Sequence, residues 1–558
     1  MGKRTLKTLK ATAFAAAALS VTMPAVHAQA APDAGRLLQE TAPVLQAPKP
    51  SPALGITLPA LTESLPGGAQ VQLKSVRLSG NTRFTEIQLL AVLGQAIGQA
   101  YDLAGLKDLT NRISEHYRQS GYPFARAYLP PQPMTDGALR IDVVEGRYGQ
   151  VKANIAKDAA LQARAQAFLA PLQSGSVIES VPLERLTLIL DDQPGIKVAP
   201  IIRPGQEIGT GDLEVNIERS ASVTGDAGAD NQGNRYTGRD RLRFNLNINS
   251  PLILGDQITL RSLLSQQGMW LGTLGYSLPL GAAGVRGNVS YSHTYYELGG
   301  SFANSMQSGT ADVTSVGLSY PTLRSQSANV TLSGSWQDKL LHDKNGLAGT
   351  EAKKSSTTVP LTLSFDVRDG MGSGGITYGS LAWTLGQLQL DSALMLGDLQ
   401  AKTEGSFNKV NLDLARVQAI NNSVTLFGRL SVQSASKNLD SSEDFGLGGA
   451  NGVRAYPSGE GFGDEGWLAQ LELRYVAGPY APYVFYDAGS IKTNAKPWQT
   501  VANERTLAGA GIGLRYQRTS WNLDVVLAWR TEGGKPESDM QDQRERGPQA
   551  WLSVGYKF

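Results

Sequence analysis

The sequence predicts a mainly β membrane protein: a transmembrane antiparallel β-barrel of about 16 strands, preceded by two small α/β modules and an N-terminal helix. Three observations predict it. Residues 220–558 alternate apolar and polar side chains in segment after segment, a period of two that gives each set its own face of a sheet. Residues 71–219 instead carry helical spacing between short strand signals, twice in succession. The chain then ends on Leu552, Val554, Tyr556 and Phe558, one apolar face closing on an aromatic terminus.

Composition agrees and excludes several classes. The chain holds 62 glycines in 558 residues, about 11% against about 7% on average, and only 18% charged residues against about 25%. That balance suits strands and turns. A net charge of +2 without any Lys/Arg block lacks the electrostatic footprint that nucleic acid requires. With no cysteine there is neither a disulfide framework nor a thiolate zinc site. His27, His116, His293 and His342 are scattered, so no metal cluster is expected. No G-x-S-x-G nucleophile elbow occurs. The run Gly509-Ala510-Gly511-Ile512-Gly513 lies in a strand pattern and lacks the lysine of a phosphate loop, which makes packing its expected role. No catalytic residue and no cofactor is therefore expected, and the chain does not read as an enzyme.

The elements follow in order. Residues 1–28 read as a secretory signal: Lys3, Arg4, Lys7 and Lys10, an apolar core from Ala11 to Val21, and a small-residue cleavage site at Val26-His27-Ala28. Residues 29–45 hold a short amphipathic helix, with Leu37, Leu38 and Leu45 apolar and Asp33 near its start. Residues 46–70 form a Pro-rich, semi-extended linker. The first module, residues 71–148, reads strand, helix, helix, strand, strand. Val76 and Leu78 mark the first strand, Thr85-Glu86-Ile87-Gln88 a capping box, and Leu106, Leu109, Ile113 and Tyr117 a helical stripe ended by Gly121. The pattern recurs over residues 149–219, with helices at 159–172 and 182–190 and strands at 198–202 and 213–217.

From about residue 220 the helical period disappears. Leu242, Phe244, Leu246 and Ile248 alternate with Arg243, Asn245, Asn247 and Asn249; Trp467, Ala469, Leu471, Leu473 and Tyr475 alternate with Gln470, Glu472 and Arg474. A soluble sandwich would alternate too. Length decides, since residues 221–558 accommodate about 16 strands of about 10 residues, as outer-membrane barrels use. Aromatic residues such as Trp270, Tyr276, Tyr291, Trp336, Trp529 and Tyr556 suit interfacial girdles.

These residues, taken together, resemble the two-partner-secretion (TpsB) transporters of the Omp85 superfamily, the haemolysin secretion and activation proteins, whose modules are called POTRA domains. In the first module the resemblance rests on Gly121-Tyr122, Leu129-Pro130-Pro131-Gln132, Asp136-Gly137 and Val144-Glu145-Gly146-Arg147. In the second it rests on Leu183-Glu184-Arg185, Asp192-Gln193-Pro194-Gly195 and Gly211-Asp212-Leu213; the barrel opens with Asp230-Asn231-Gln232-Gly233-Asn234-Arg235. Most specific is Val453-Arg454-Ala455-Tyr456, similar to the superfamily's VRGY motif on a loop that folds into the lumen. The resemblance implies that Arg454 pairs with Asp487 of a Phe485-x-Asp487-x-Gly489 wall motif. Alanine replaces the usual glycine at Ala455, which leaves the tip's backbone open, because alanine resists φ > 0.

The same resemblance implies a function. The POTRA domains, in the periplasm, would bind an unfolded partner exoprotein of the haemolysin or adhesin kind and pass it through a gated pore in the outer membrane. The N-terminal helix would be a plug, the 453–456 loop a second closure, and Tyr556 and Phe558 the signal read by the barrel-assembly machinery. Outer-membrane lipid and the exoprotein are then the expected partners, and nucleic acid is not. Two rivals stay open: an Omp85-type assembly factor that inserts other barrels, and a passive diffusion channel.

Overall fold

The structure, a computed structural model, describes residues 31–52, 65–134, 136–155, 158–539 and 541–558. The proposed signal at residues 1–28 and the middle of the Pro-rich linker lie outside the described residues. Helix α1 (Ala34–Glu40) is shorter than the sequence suggests. Asp33 caps its start by accepting from the Arg36 N–H at 2.9 Å, and the Thr41 hydroxyl returns to the Leu37 carbonyl at 2.9 Å. Pro43, two residues on, lacks the N–H that another turn would need.

Both modules fold to one plan. In the first, a sheet of Ser75–Ser79, Ala138–Val144 and Arg126–Tyr128 is covered by α2 (Glu86–Leu93) and α3 (Leu103–Gln119), the first two strands being parallel. In the second, Arg147–Ile155 runs parallel to the central Thr210–Arg219 with Ile196–Pro204 on the other side, under α4 (Ala159–Leu169) and α5 (Ser180–Asp191). The cause is local. Thr85 and Gln88 cap each other reciprocally at the start of α2. Leu106, Leu109, Ile113 and Tyr117 of α3 all face the first core, and none is more than 6% exposed. Gly121, at φ +91°, ends that helix in a left-handed turn in which the Tyr122 N–H reaches back to the Tyr117 carbonyl at 2.9 Å. A further two-residue pair, Val71–Gln72 with Ala100–Tyr101, lies outside the expected strands.

Glu145 ties the first module together. Its carboxylate accepts from the Thr82 and Arg83 N–H groups at 2.5 and 2.7 Å and from the Tyr117 hydroxyl at 3.1 Å. Burial pushes the carboxyl up, but the Thr82 hydroxyl and these backbone donors outweigh it and hold it below the usual glutamate value.

Sixteen strands among the described residues close into a single antiparallel barrel, from Val223–Asp230 to Pro548–Lys557. Closure leaves no unpaired edge, the condition for strands in lipid. The alternation sorts as expected: Leu242, Phe244, Leu471, Leu473 and Leu552 are exposed on the outer wall, while Arg243, Gln470 and Glu472 point inward. At the seam, Ser553–Lys557 pairs with Asp226–Asp230, and Phe558 exchanges both backbone hydrogen bonds with Gly225 at 3.0 Å. Its ring stacks beside Phe244, 6.3 Å between centroids, over a Gly225 that has no Cβ to block it.

Candidate functional site: a lumen closed by a helix and a loop

The loop of residues 436–464 leaves strand Val424–Ala435 and returns to Glu465–Tyr475. It carries a short 3-10 turn, Ser441–Glu443, and a minimal hairpin, Phe445–Gly446 with Phe462–Gly463. Its tip lies among wall residues of the lumen: Val453, Ala455 and Tyr456 are 0% exposed and Arg454 3%.

Phe485, Asp487 and Gly489 alternate along strand Tyr480–Lys492, so all three face the same loop. The Arg454 guanidinium forks onto Asp487, with Nε and Nη2 donating at 2.8 and 2.7 Å. The Arg454 backbone N–H adds a third bond to Asp487 at 3.1 Å. The guanidinium also lies 3.6 Å over the Phe485 ring centre, a cation–π contact. Gly489 makes room for the loop itself, because a Cβ there would stand 2.5 Å from Leu447.

Several further partners complete the site, and no local sequence signal marks them. Arg454 Nη1 donates to Glu472 at 2.5 Å, and Glu472 is shared with Arg474 at 2.7 Å and Arg515 at 3.0 Å. Trp551 donates its indole N–H to the Arg454 carbonyl at 2.8 Å. The Tyr456 hydroxyl donates to the Glu532 and Gly534 carbonyls at 2.6 and 3.0 Å. Strand parity alone puts Glu472 on the polar face, and only the fold brings its partners to it. The glycine run acts as packing space: Gly509, Gly511 and Gly513 face Ala455, Phe485 and Tyr483, each so close that an added Cβ would stand under 2.5 Å away. Ala455 is not among the residues with positive φ, so alanine is unstrained here and fills the hollow at Gly509.

Helix α1 sits in the same lumen. Asp33 accepts from Lys354 at 3.0 Å and from Ser441 at 2.6 Å, and Lys354 also holds Asp440 at 2.7 Å. Ala34 donates its N–H to Asp343 at 2.9 Å, and at the other end Asn234 donates to Glu40 at 2.9 Å. Gly35 packs so tightly on the loop that a Cβ would stand 2.4 Å from the Ser441 hydroxyl. The base of that loop is pinned separately, by Lys339 and Lys409 on Glu443 at 2.5 and 3.0 Å. Past the helix, residues 48–52 follow the wall, where Arg368 donates to the Pro48 and Lys49 carbonyls at 3.3 and 3.0 Å. Tyr556 and Phe558 lie apart from this site, exposed on the outer face of the closing strand.

Fold and site together define an outer-membrane β-barrel transporter whose lumen holds a helix and an inward-folded loop. The chain belongs to the haemolysin secretion/activation protein family ShlB/FhaC/HecB, whose model matches residues 209–516. The ShlB-type POTRA domain matches residues 71–146. Among curated relatives, the heme/hemopexin transporter protein HuxB of Haemophilus influenzae (strain 86-028NP) is 28% identical, covering 84% of this chain and 83% of the relative. The hemolysin transporter protein ShlB of Serratia marcescens is 24% identical over 86% of both chains. The solved structure of CdiB from Escherichia coli superposes with a TM-score of 0.70 over 91% of this chain and 94% of its own, at 23% identity, and so shares the fold. The protein is a two-partner-secretion transporter of the outer membrane and is not an enzyme.

Proposed function

We propose that this transporter binds an unfolded exoprotein of the haemolysin or adhesin kind at its periplasmic POTRA domains and exports it through a lumen gated by α1 and the 453–456 loop. The names of its relatives support this reading, since they move a hemolysin in one case and serve heme and hemopexin in another. The observation that carries the gating is the double closure: α1 and the loop of residues 436–464 occupy one lumen, and Asp33 at the start of α1 is bonded to Ser441 near the base of that loop. Unfolded cargo fits the modules because an exposed sheet edge pairs through backbone groups, whatever the sequence. The signal at residues 1–28 would take the chain across the inner membrane, and Tyr556 and Phe558 would engage the barrel-assembly machinery.

Planar-bilayer conductance tests the gate. Deleting residues 33–45 is expected to raise the open conductance of the full-length protein, and an unchanged trace would overturn the plug assignment. In cells, Arg454→Ala should impair export while the barrel still assembles; normal secretion by that variant would remove the loop from the mechanism.

A further inference from the structure

The turn that joins strands Gln307–Arg324 and Ala328–Asn345 touches two things at once, the second module and the chain that tethers α1. Arg324 forks onto Asp192, the residue that caps the end of α5, with Nε and Nη2 each donating at 2.7 Å. Its Nη1 turns the other way and donates to the Ser51 hydroxyl at 2.8 Å and to Asn329 at 2.9 Å. Two residues on, Gln326 repeats the arrangement. Its backbone N–H donates to Glu184 of α5 at 2.6 Å, and its side-chain amide donates to the Pro52 carbonyl at 3.1 Å.

A guanidinium is a rigid planar fork whose donors cannot be re-aimed independently. If the second module swings away from the rim, Arg324 either follows Asp192 and abandons Ser51, or stays and leaves Asp192 unpaired. The Arg324 side chain is only 12% exposed, so water replaces a lost partner poorly. The docked module and the seated tether therefore stabilise each other, and by linkage the effect is reciprocal.

We propose that Arg324 is a positioning residue through which the second module and the α1 tether hold one another, so that cargo drawing the module off the rim also loosens the plug. This rests on the gating reading above. It assigns to Asp192, which touches neither α1 nor the 453–456 loop among the contacts described, an influence on whether the lumen is open.

The test uses the full-length protein in planar bilayers without cargo. Asp192→Asn is expected to raise the open fraction on the order of fivefold, the lower end of ordinary coupling between sites. In an Arg324→Gln background the same substitution should add nothing further. A wild-type trace for Asp192→Asn, or an effect that persists in full without Arg324, would overturn the proposal. Because the natural chain has no cysteine, spin labels at Lys49→Cys and Asn422→Cys report the tether position separately. Their distance distribution should broaden in Asp192→Asn even if deleting residues 33–45 proves the plug reading wrong, and an unchanged distribution would sink the latch on its own.

Discussion

Replacing Arg454 by methionine keeps much of the side chain's bulk and removes its charge, and the structure says which anion suffers. Glu472 keeps Arg474 at 2.7 Å and Arg515 at 3.0 Å, so it remains compensated. Asp487 has no such reserve. Two of the three bonds its carboxylate accepts come from the Arg454 guanidinium, at 2.8 and 2.7 Å, so only the Arg454 backbone N–H at 3.1 Å would stay, and Asp487 is 0% exposed. Removing one partner of a buried pair typically costs about 3–5 kcal/mol, because the other charge is left uncompensated. The seated loop should lose about that much stability. Removing the stranded charge as well should return part of it, so Arg454→Met with Asp487→Asn is expected to be milder than the sum of the single changes. Hydrogen exchange across residues 447–456 reads the loop directly, with gel mobility of the folded barrel as the control. If the double variant exchanges as fast as Arg454→Met, or faster, the stranded carboxylate is not the cause and the reasoning fails.

Three further outcomes follow from the contacts. Gly35→Val puts a branched side chain where even a Cβ would stand 2.4 Å from Ser441, so α1 should unseat and bilayer conductance should rise while the barrel stays folded. Gly509→Val drives a side chain into Ala455, 2.3 Å from an added Cβ, and should release the loop tip to protease without opening the barrel wall. Glu145 is held below its ordinary value of 4.5 in the folded module, so its contribution is fully present above pH 4.5 and is lost as pH falls through the lowered folded value. Glu145→Gln should therefore flatten that acid limb and cost about 1–3 kcal/mol at neutral pH, read by hydrogen exchange over residues 75–144. Unaltered acid dependence in that variant would count against the hydrogen-bonded carboxylate.

What the sequence disclosed follows from how far each signal reaches. The α3 stripe, the Thr85 capping box and the Gly121 turn are local, and local chemistry was enough to place them. Barrel strands were legible because a period of two survives in any strand with lipid on one side and water on the other. Arg454 and Asp487 could be paired only through a family motif, since 33 residues separate them and nothing in their immediate neighbourhoods points across that distance. Glu472 showed its face but not its partner. Lys354 and Arg324 showed neither role: each looks like an ordinary lumen or rim cation until the fold brings Asp33 beside one and Asp192 beside the other. Helix α1 ends before the apolar spacing does for a related reason: that spacing runs through Leu45, past Pro43, and the lumen wall, not helical propensity, holds the residues that follow.

The central claim is that export requires α1 to leave the lumen. Glu40→Cys and Asn234→Cys, placed where the native side chains meet at 2.9 Å, can be joined by a short reducible cross-linker in a chain that otherwise lacks cysteine. Secretion of the exoprotein, sought in the neighbouring reading frame, is then followed with the link closed and after reduction. Export that stops when the link is closed and resumes on reduction is what the account predicts; export undiminished through a fully linked barrel would contradict it.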